Sequence, residues 1–254
     1  MNNNLPLKGF RMPAEWELQE SVWVAWPYNK NDWPELFENI PSIVSQIISE
    51  LSKSQKVNLL IKNNKDKKII INLLNKFSHK LSNINFHSIS TNRIWLRDSG
   101  PIFLINDKTK KKIMLNFKFN AWSKYKDYRK DNNINNKLSK LIKIKKINPL
   151  VKINKKHKQL VLEGGAIDVN GKGSILLTKE CLLSKVQERN PGITKSILEK
   201  TLMKYLNVKN FVWLNKGIKG DDTHGHIDDI SRFVSKNTIM TAVENNKRDK
   251  NYKN

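Results

Sequence analysis

The chain has 254 residues, of which 38% are hydrophobic and 28% are charged, a length that allows one large or two small domains. Seven tryptophans and nine phenylalanines argue against a disordered chain, because disordered sequences are poor in aromatic residues. No apolar run approaches a membrane-spanning helix, and the first residues lack an apolar signal core, so we expect a cytoplasmic protein with no membrane partner. One cysteine, Cys181, excludes an internal disulfide framework and a Cys-rich metal site.

The net charge is strongly positive. Lysine and arginine together number 47 against 23 acidic residues, for a formal net charge of +24. A basic surface is typical of proteins that bind nucleic acid or membranes. Most of these cations are lysines, however, and Lys, Asn and Ile share A/T-rich codons, so drift in an A+T-rich genome produces the same composition. Base-reading proteins favour arginine for bidentate contacts, and arginine is scarce here. We therefore expect no specific nucleic-acid partner.

Residues 9–34 contain four of the seven tryptophans and one predicted strand, and residues 35–105 alternate predicted helices and strands. Apolar runs at 21–26, 57–61 and 84–89 are typical of buried strands, and segments 40–51 and 67–77 have helical apolar spacing. The alternation indicates an α/β fold.

Residues 106–158 have a different composition. Eighteen lysines and arginines face three aspartates, and asparagine-rich runs interrupt the apolar pattern. This composition predicts a weakly ordered, basic loop or insertion with a short helix near 138–144.

Residues 159–244 return to a folded pattern. Strands are predicted at 160–162, 174–178, 211–214 and 238–243, and Thr194 is the predicted N-cap of a helix that runs to about Tyr205. No strong sequence repeat is visible, although a structural repeat of ββαβ type fits the order of elements.

Two short polar segments interrupt these elements. Residues 95–101 place Asp98 before a Gly-Pro turn, at a strand-to-loop junction where binding groups collect. The alternative is that Asp98 caps the turn and pairs with Arg97. Residues 163–168 begin with Glu163 and two glycines, which allow close backbone approach to a ligand; a strand bulge is the alternative.

A third segment, residues 220–229, is rich in titratable groups. Six of its ten residues are His or Asp. His226 and Asp228 share one face of an extended strand, and a histidine beside a carboxylate is a general acid/base pair. A divalent-metal site is the rival interpretation, and a polar turn with a capping Asp is the third. The density of titratable residues favours a functional site.

The ordered set of segments resembles the agmatine deiminase family. The set opens with Arg11-Met12-Pro13-Ala14-Glu15-Trp16-Glu17 and Trp23-Val24-Ala25-Trp26-Pro27. It continues with residues 95–101, Phe119-Asn120-Ala121-Trp122, Glu163-Gly164-Gly165 and residues 220–228, and it spans nearly the whole chain.

This resemblance implies a fold and a reaction. The fold is the pentein-type α/β-propeller of ββαβ units, and the reaction is hydrolysis of agmatine to N-carbamoylputrescine and ammonia without metal or cofactor. We expect one agmatine-deiminase-like domain over residues 1–254, corresponding to the N-terminal two-thirds of the family's length. A small guanidino molecule is the expected partner, and the protein is a possible homo-oligomer.

The resemblance also implies roles for individual residues. Two carboxylates can each accept a forked pair of hydrogen bonds from a planar guanidinium. The implied catalytic set is Asp98 and Asp228 as guanidinium-binding acids, His226 as general acid/base and Glu163 as an acid beside it. The implied substrate-binding set is Trp95, Trp122 and Asp222, whose aromatic members offer a face to the cation.

Two departures from the family pattern matter. His224 stands before Gly225, where the family usually has an acid or an amide, and this weakens the expected recognition of the cationic tail. The family's nucleophile is a cysteine in the last propeller unit, and the chain stops before that unit, so we expect a C-terminally truncated protein that is inactive as it stands. Cys181 lacks the motif and is expected to be a small buried residue.

Three interpretations follow for the function. The first is a deiminase of agmatine, or alternatively of protein-bound arginine, whose remaining part is encoded elsewhere. The second is a catalytically dead relic. The third is a basic nucleic-acid-binding protein on an old enzyme scaffold. The agmatine-type opening motif and the lack of a secretory signal favour the small substrate.

Overall fold

The computed structural model describes residues 7–77 and 81–253, and the described chain forms two compact units. The small unit comprises residues 18–96 and 127–137, and the large unit comprises the described parts of 1–17, 97–126 and 138–254. The expectation of one agmatine-deiminase-like domain stays a prediction.

The elements are numbered in chain order through both units. The helices are α1 (Ile40–Ser54), α2 (Lys67–Leu74), α3 (Leu96–Ser99), α4 (Arg129–Asn132), α5 (Ile134–Leu141), α6 (Lys179–Leu183) and α7 (Lys195–Leu206). The strands are β1 (Phe10–Arg11), β2 (Ser21–Ala25), β3 (Lys56–Ile61), β4 (Ile84–Ser88), β5 (Ile102–Asn106), β6 (Lys112–Leu115), β7 (Lys146–Ile147), β8 (Leu150–Ile153), β9 (Lys156–Gln159), β10 (Asp168–Val169), β11 (Ser174–Thr178), β12 (Asn210–Leu214), β13 (Ser231–Phe233) and β14 (Ile239–Thr241).

The small unit is a three-stranded parallel sheet with helical connections. Its order is β2-β3-β4, and α1 and α2 connect successive strands. Strand β3 is buried except at its first residue, because it lies in the centre of the sheet. Helix α1 carries a proline in its first turn and packs Val44 and Ile48 into the core. The strands and helices predicted over residues 21–89 are confirmed, with shifts of a few residues at their ends.

A buried ion pair stabilises the small unit. The Arg93 guanidinium pairs with Asp32, and both side chains are buried. The guanidinium also donates to the half-exposed Asp127 at 2.9 Å.

Arg93→Leu should lower the free energy of unfolding by about 3–5 kcal/mol, because it leaves the Asp32 charge buried without its cation. Arg129→Leu, which changes an exposed arginine, should move stability by less than about 0.5 kcal/mol. Urea titration of both variants measures the difference, and equal losses would contradict the assignment of a buried pair.

Two of the sheets in the large unit have the same order of elements along the chain. In the first, β5 and β6 are antiparallel and β6 pairs in parallel with β7 after α4 and α5. In the second, β10 and β11 are antiparallel and β11 pairs in parallel with β12 after α6 and α7. Along the chain each set has the order ββαβ, and in the first set α4 and the first half of α5 belong to the small unit. The core of the large unit lies between strands of both sheets and α7, and it includes Leu104, Leu115, Leu177 and Leu202.

The prediction of a weakly ordered loop over residues 106–158 is wrong. This region contains β6, α4, α5, β7, β8 and part of β9, and it buries Ile134, Leu138, Val151 and Ile153. The prediction failed because it rested on the high charge content of this region. Charged residues show that one face of an element is exposed to solvent, but they do not show whether the other face is buried. The inner face depends on spacing: Ile134 and Leu138 lie four positions apart on one face of α5.

A second predicted element is also absent. Residues 160–162 form one isolated bridge rather than a strand. The Asn190 side chain donates to the Val161 carbonyl at 2.8 Å and accepts from the Val161 N–H at 2.9 Å. The backbone groups are therefore satisfied without a neighbouring strand. By contrast, α7 and its Thr194 N-cap, which accepts from the Ile197 N–H at 3.3 Å, are confirmed.

Within residues 7–77 and 81–253, no helix has the length and apolar character needed to cross a bilayer.

Candidate active site

Asp98 lies in the one-turn helix α3 and is buried in the large unit. Its carboxylate accepts a hydrogen bond from the Trp122 indole N–H at 2.9 Å and from the Gly165 backbone N–H at 2.9 Å. Burial raises the pKa of Asp98, and these two donors oppose that shift. Asp98 is therefore a buried acid for which a bound cation would favour ionisation.

The Glu163 segment places a second carboxylate beside Asp98. Glu163 is fully buried, and its Oε1 accepts from Arg189 Nε at 3.2 Å. The following glycines are required by close packing: a Cβ on Gly165 would clash with the His226 ring and lie 2.7 Å from Asp98 Oδ1. The glycine at position 165 is therefore needed because the His226 and Asp98 side chains lie against the backbone there.

His226 lies among three carboxylates of the large unit. Its Nδ1 is 3.8 Å from Asp98 Oδ1 and 3.8 Å from Asp228 Oδ1, and its Nε2 is 4.0 Å from Glu163 Oε2. Burial lowers the pKa of His226, although the neighbouring carboxylates act in the opposite direction. The ring is consequently neutral near pH 7 and available to accept a proton.

The loop that carries His226 and Asp228 is not the extended strand expected from their spacing. Residues 221–230 form turns, and both His224 and Gly225 have left-handed backbone conformations. The Asp221 carboxylate organises this loop by accepting from the backbone N–H groups of Thr223 and Gly225, each at 2.7 Å, and of His226 at 3.1 Å. The two side chains still converge, through a turn instead of a shared strand face.

Asp228 completes the carboxylate set. It is partly buried, and burial raises its pKa. Arg97 Nε lies 3.6 Å from Asp228 Oδ2, and Arg232 Nη1 lies 4.0 Å from the same atom. Both arginines also pair with Glu15, so the cations beside Asp228 are themselves held in place.

The three predicted substrate-binding residues have different positions. Trp122 is buried and touches Asp98, as described above. Asp222 is half-exposed; it pairs with Lys124 and accepts from the Tyr125 hydroxyl at 2.9 Å. The Gln187 amide donates to the carbonyls of both Trp122 and Asp222, which places Asp222 near Trp122. Trp95 belongs to the small unit, where its ring packs against Trp33 at an interplanar angle of 42°, with ring centroids 5.9 Å apart.

Sequence reasoning missed two residues that shape the site. Arg189 is fully buried against Glu163 and also donates to the Thr223 and Gln187 carbonyls. Asp221 anchors the His226 loop. Each had a signal: Arg189 is one of few arginines in a lysine-rich chain, and Asp221 stands two positions before a threonine, as in an Asx-turn.

Cys181 is buried, as expected, but it lies against the site. Its N–H bonds to the Thr178 hydroxyl, which caps α6. Its sulfur, a Glu163 carboxylate oxygen and a His226 ring nitrogen all lie within 4.8 Å of one another. Burial raises the pKa of the Cys181 thiol well above its usual range, so the thiol is protonated near neutral pH.

The large unit therefore gathers the carboxylates of Asp98, Glu163 and Asp228 around the His226 imidazole, with Trp122 against Asp98. Carboxylates arranged in this way can hold a planar cation, and the imidazole can accept and donate a proton.

The model of the Porphyromonas-type peptidyl-arginine deiminase family matches residues 11–254. The chain belongs to this family.

Individual relatives agree with this assignment. An agmatine deiminase of Medicago truncatula is 31% identical over 99% of the chain, which covers 66% of that protein. The solved structure of the agmatine deiminase of Enterococcus faecalis has a TM-score of 0.81 at 28% identity, over 95% of this chain and 62% of that one. A C. jejuni agmatine deiminase with a Cys-to-Ser substitution and substrate bound has a TM-score of 0.80 at 31% identity, over 96% and 67%. The chain thus spans about two-thirds of the length of these relatives and shares their mixed α/β fold.

Proposed function

We propose that this chain supplies the guanidinium-binding and proton-transfer groups of an agmatine deiminase, which hydrolyses agmatine to N-carbamoylputrescine and ammonia. The observation that carries the proposal is the convergence of three buried or partly buried carboxylates on the buried His226 ring. Like charges held this close are costly unless a cation or a proton relieves them. A guanidinium is a planar cation whose N–H groups match such carboxylates.

Asp98 and Asp228 are the proposed guanidinium acceptors. Burial raises the pKa of each, so binding a cation favours the ionised form of both. The Trp122 and Gly165 donors orient the Asp98 carboxylate before substrate arrives. Orientation in advance reduces the entropy lost on binding.

His226 is the proposed general acid and base. The ring, neutral at rest, can take up the proton of the incoming nucleophile and donate it to the departing nitrogen, which leaves as ammonia when its bond to the guanidino carbon breaks. The ring, neutral again, can then accept a proton from the attacking water, whose oxygen bonds to that carbon as the bond from the carbon to the nucleophile breaks. Glu163, 4.0 Å from Nε2, stabilises the protonated form of the ring.

The covalent step that the family resemblance implies needs a thiolate nucleophile. Among these 254 residues Cys181 is the one thiol, and it is buried and protonated. We therefore assign binding and proton transfer to this chain and do not assign the nucleophile to Cys181.

A peptidyl-arginine substrate is the second candidate. The description of the matching family names it. In addition, Asp222 is the one carboxylate of the implied substrate-binding set and so the group in that set that could receive agmatine's free amine. This carboxylate already pairs with Lys124 and accepts a hydrogen bond from Tyr125. A peptidyl-arginine has no free amine at that end and does not need Asp222.

At the level of fold, we propose that the chain forms part of a pentein-type α/β-propeller. Its support is the two successive ββαβ units and the β13–β14 hairpin, which has the antiparallel pairing that opens each unit. The proposed protein acts in the cytoplasm on a small guanidino molecule, without a metal or cofactor in catalysis, and without a specific nucleic-acid partner.

Agmatine binding tests the proposal. In isothermal titration, Asp98→Asn and Asp228→Asn should each weaken binding roughly 10- to 100-fold, because each removes a charge-assisted contact. Asp107→Asn, which alters an exposed acid paired with Arg11, should leave binding unchanged. Nα-acetyl-arginine amide competes in the same assay, and tighter binding of that compound than of agmatine would favour the second candidate.

The affinity should also depend on pH with a definite sign. Since the pKa values of Asp98 and Asp228 are raised, acidification through those values protonates both and weakens binding, whereas raising the pH restores the charges. Affinity that rises on acidification would contradict the assigned carboxylates.

A further inference from the structure

Two polar atoms of the candidate site face each other without hydrogen-bond partners. Within the described residues, Glu163 Oε2 and His226 Nε2 are buried, have no hydrogen-bond partner and are 4.0 Å apart. The Cys181 sulfur lies beside them, and the three ligand-type atoms are all within 4.8 Å of one another. Buried polar atoms are almost always satisfied, so this arrangement requires an explanation.

The donor set itself indicates the class of ligand. A thiol sulfur, an imidazole nitrogen and a carboxylate oxygen together suit zinc, whereas Ca²⁺ and Mg²⁺ prefer oxygen donors alone. With bond lengths of roughly 2.0–2.3 Å, tetrahedral zinc separates its ligand atoms by about 3.3–3.8 Å. The 4.0 Å between His226 Nε2 and Glu163 Oε2 has to shorten by roughly half an ångström to fit this geometry. The two separations to the Cys181 sulfur, each within 4.8 Å, have to shorten to the same range. We propose that Glu163, Cys181 and His226 form a binding site for Zn²⁺.

The surroundings hold each of the three donors in place. Arg189 Nε holds the other Glu163 oxygen at 3.2 Å and leaves Oε2 directed into the cluster. The Thr178 hydroxyl fixes the start of the helix that carries Cys181. Asp98 and Asp228 lie on the Nδ1 side of His226, and a proton on Nδ1 leaves the Nε2 lone pair free to bind the metal. Coordination replaces the thiol proton, which passes to the buffer.

The zinc site is argued independently of the proposed function, and only its expected effect on catalysis rests on that function. Zn²⁺ on Nε2 would occupy the lone pair that His226 needs for proton transfer, and it would neutralise Glu163. The site is therefore inhibitory toward the proposed chemistry, and it places Cys181 in a role that needs no nucleophilic thiolate.

Metal titration of the 254-residue polypeptide tests the site without any substrate. We expect one equivalent of Zn²⁺ to bind, with affinity reduced at least ~100-fold in Cys181→Ala, since even partners outside the ligand shell are worth 10- to 100-fold. Co²⁺ as a probe should give a thiolate charge-transfer band that Cys181→Ala abolishes. His224→Ala, in the same loop but outside the cluster, is the matched control and should bind normally. Equal affinity in Cys181→Ala, or no thiolate band, would overturn the proposal.

A second measurement uses the native chain and so avoids any folding defect of a variant. Cys181 is the one cysteine, so its reaction with a disulfide reagent reports on this site alone. Zn²⁺ should slow that reaction at least ~10-fold, as coordinated thiolate is shielded, and chelator should reverse the effect. An unchanged rate would contradict the site. Zinc binding without agmatine binding would count against the proposed function only, and the reverse result against the zinc site only.

Discussion

Incubated with agmatine, the 254-residue polypeptide is expected to release no ammonia above a protein-free control. The buried Cys181 thiol is protonated because burial raises its pKa, and a protonated thiol is a poor nucleophile. Loss of a nucleophile from a cooperating catalytic set costs roughly 10⁴- to 10⁶-fold in rate. The measurement is a coupled ammonia assay under saturating agmatine, with added ammonia to establish the detection limit.

The control for this experiment is Cys181→Ser. Both polypeptides should be indistinguishable from the blank. Ammonia release by the native chain that disappears in Cys181→Ser would show that Cys181 is the nucleophile, and it would overturn the role assigned to this residue.

Arg189→Met is expected to be among the most destabilising substitutions in the large unit. The Arg189 and Glu163 side chains are fully buried against each other, and removing the cation leaves a buried, uncompensated carboxylate. Breaking one partner of such a pair typically costs about 3–5 kcal/mol. Chemical denaturation followed by tryptophan fluorescence measures the loss.

Two further variants give this prediction its control. Glu163→Gln combined with Arg189→Met should recover much of the loss, because the double variant no longer buries an unpaired charge. Lys185→Met, which breaks an exposed pair with Glu188, should have little effect on stability, because solvent screens an exposed ion pair. A double variant no more stable than Arg189→Met would mean that Arg189 acts through its carbonyl contacts instead of through Glu163.

The sequence predicted the elements whose signals are local. The period of apolar residues located β2, α1, β3 and β11, and the Thr194 cap located the start of α7. It failed at residues 160–162, because the Asn190 side chain, some thirty positions away, satisfies the Val161 backbone. The sequence-based prediction failed again over residues 106–158, where exposed Lys137 and Lys140 stand on the same helix as buried Ile134 and Leu138.

For a similar reason, the sequence identified some residues of the candidate site and missed others. Asp98, Glu163, His226 and Asp228 stand in recognisable motifs, so the resemblance found them. Arg189 and Asp221 act by supporting other residues, and such roles become visible only when distant segments are brought together. The scarcity of arginine was itself a signal: among the residues described, Arg93, Arg97 and Arg189 all pair with carboxylates, a role for which the guanidinium fork is better suited than an ammonium.

The measurement that tests the central claim most directly is the NMR signal of the His226 ring during an agmatine titration. The chain has five histidines, and His226→Gln assigns the signal. We predict a saturable shift of the His226 ring signals with agmatine, no such shift in the Asp98→Asn/Asp228→Asn double variant, and no shift of exposed His157. Putrescine, which has two amines and no guanidinium, should produce a much smaller effect. An equal shift with putrescine, or an agmatine response that survives loss of both carboxylates, would contradict a guanidinium site at His226.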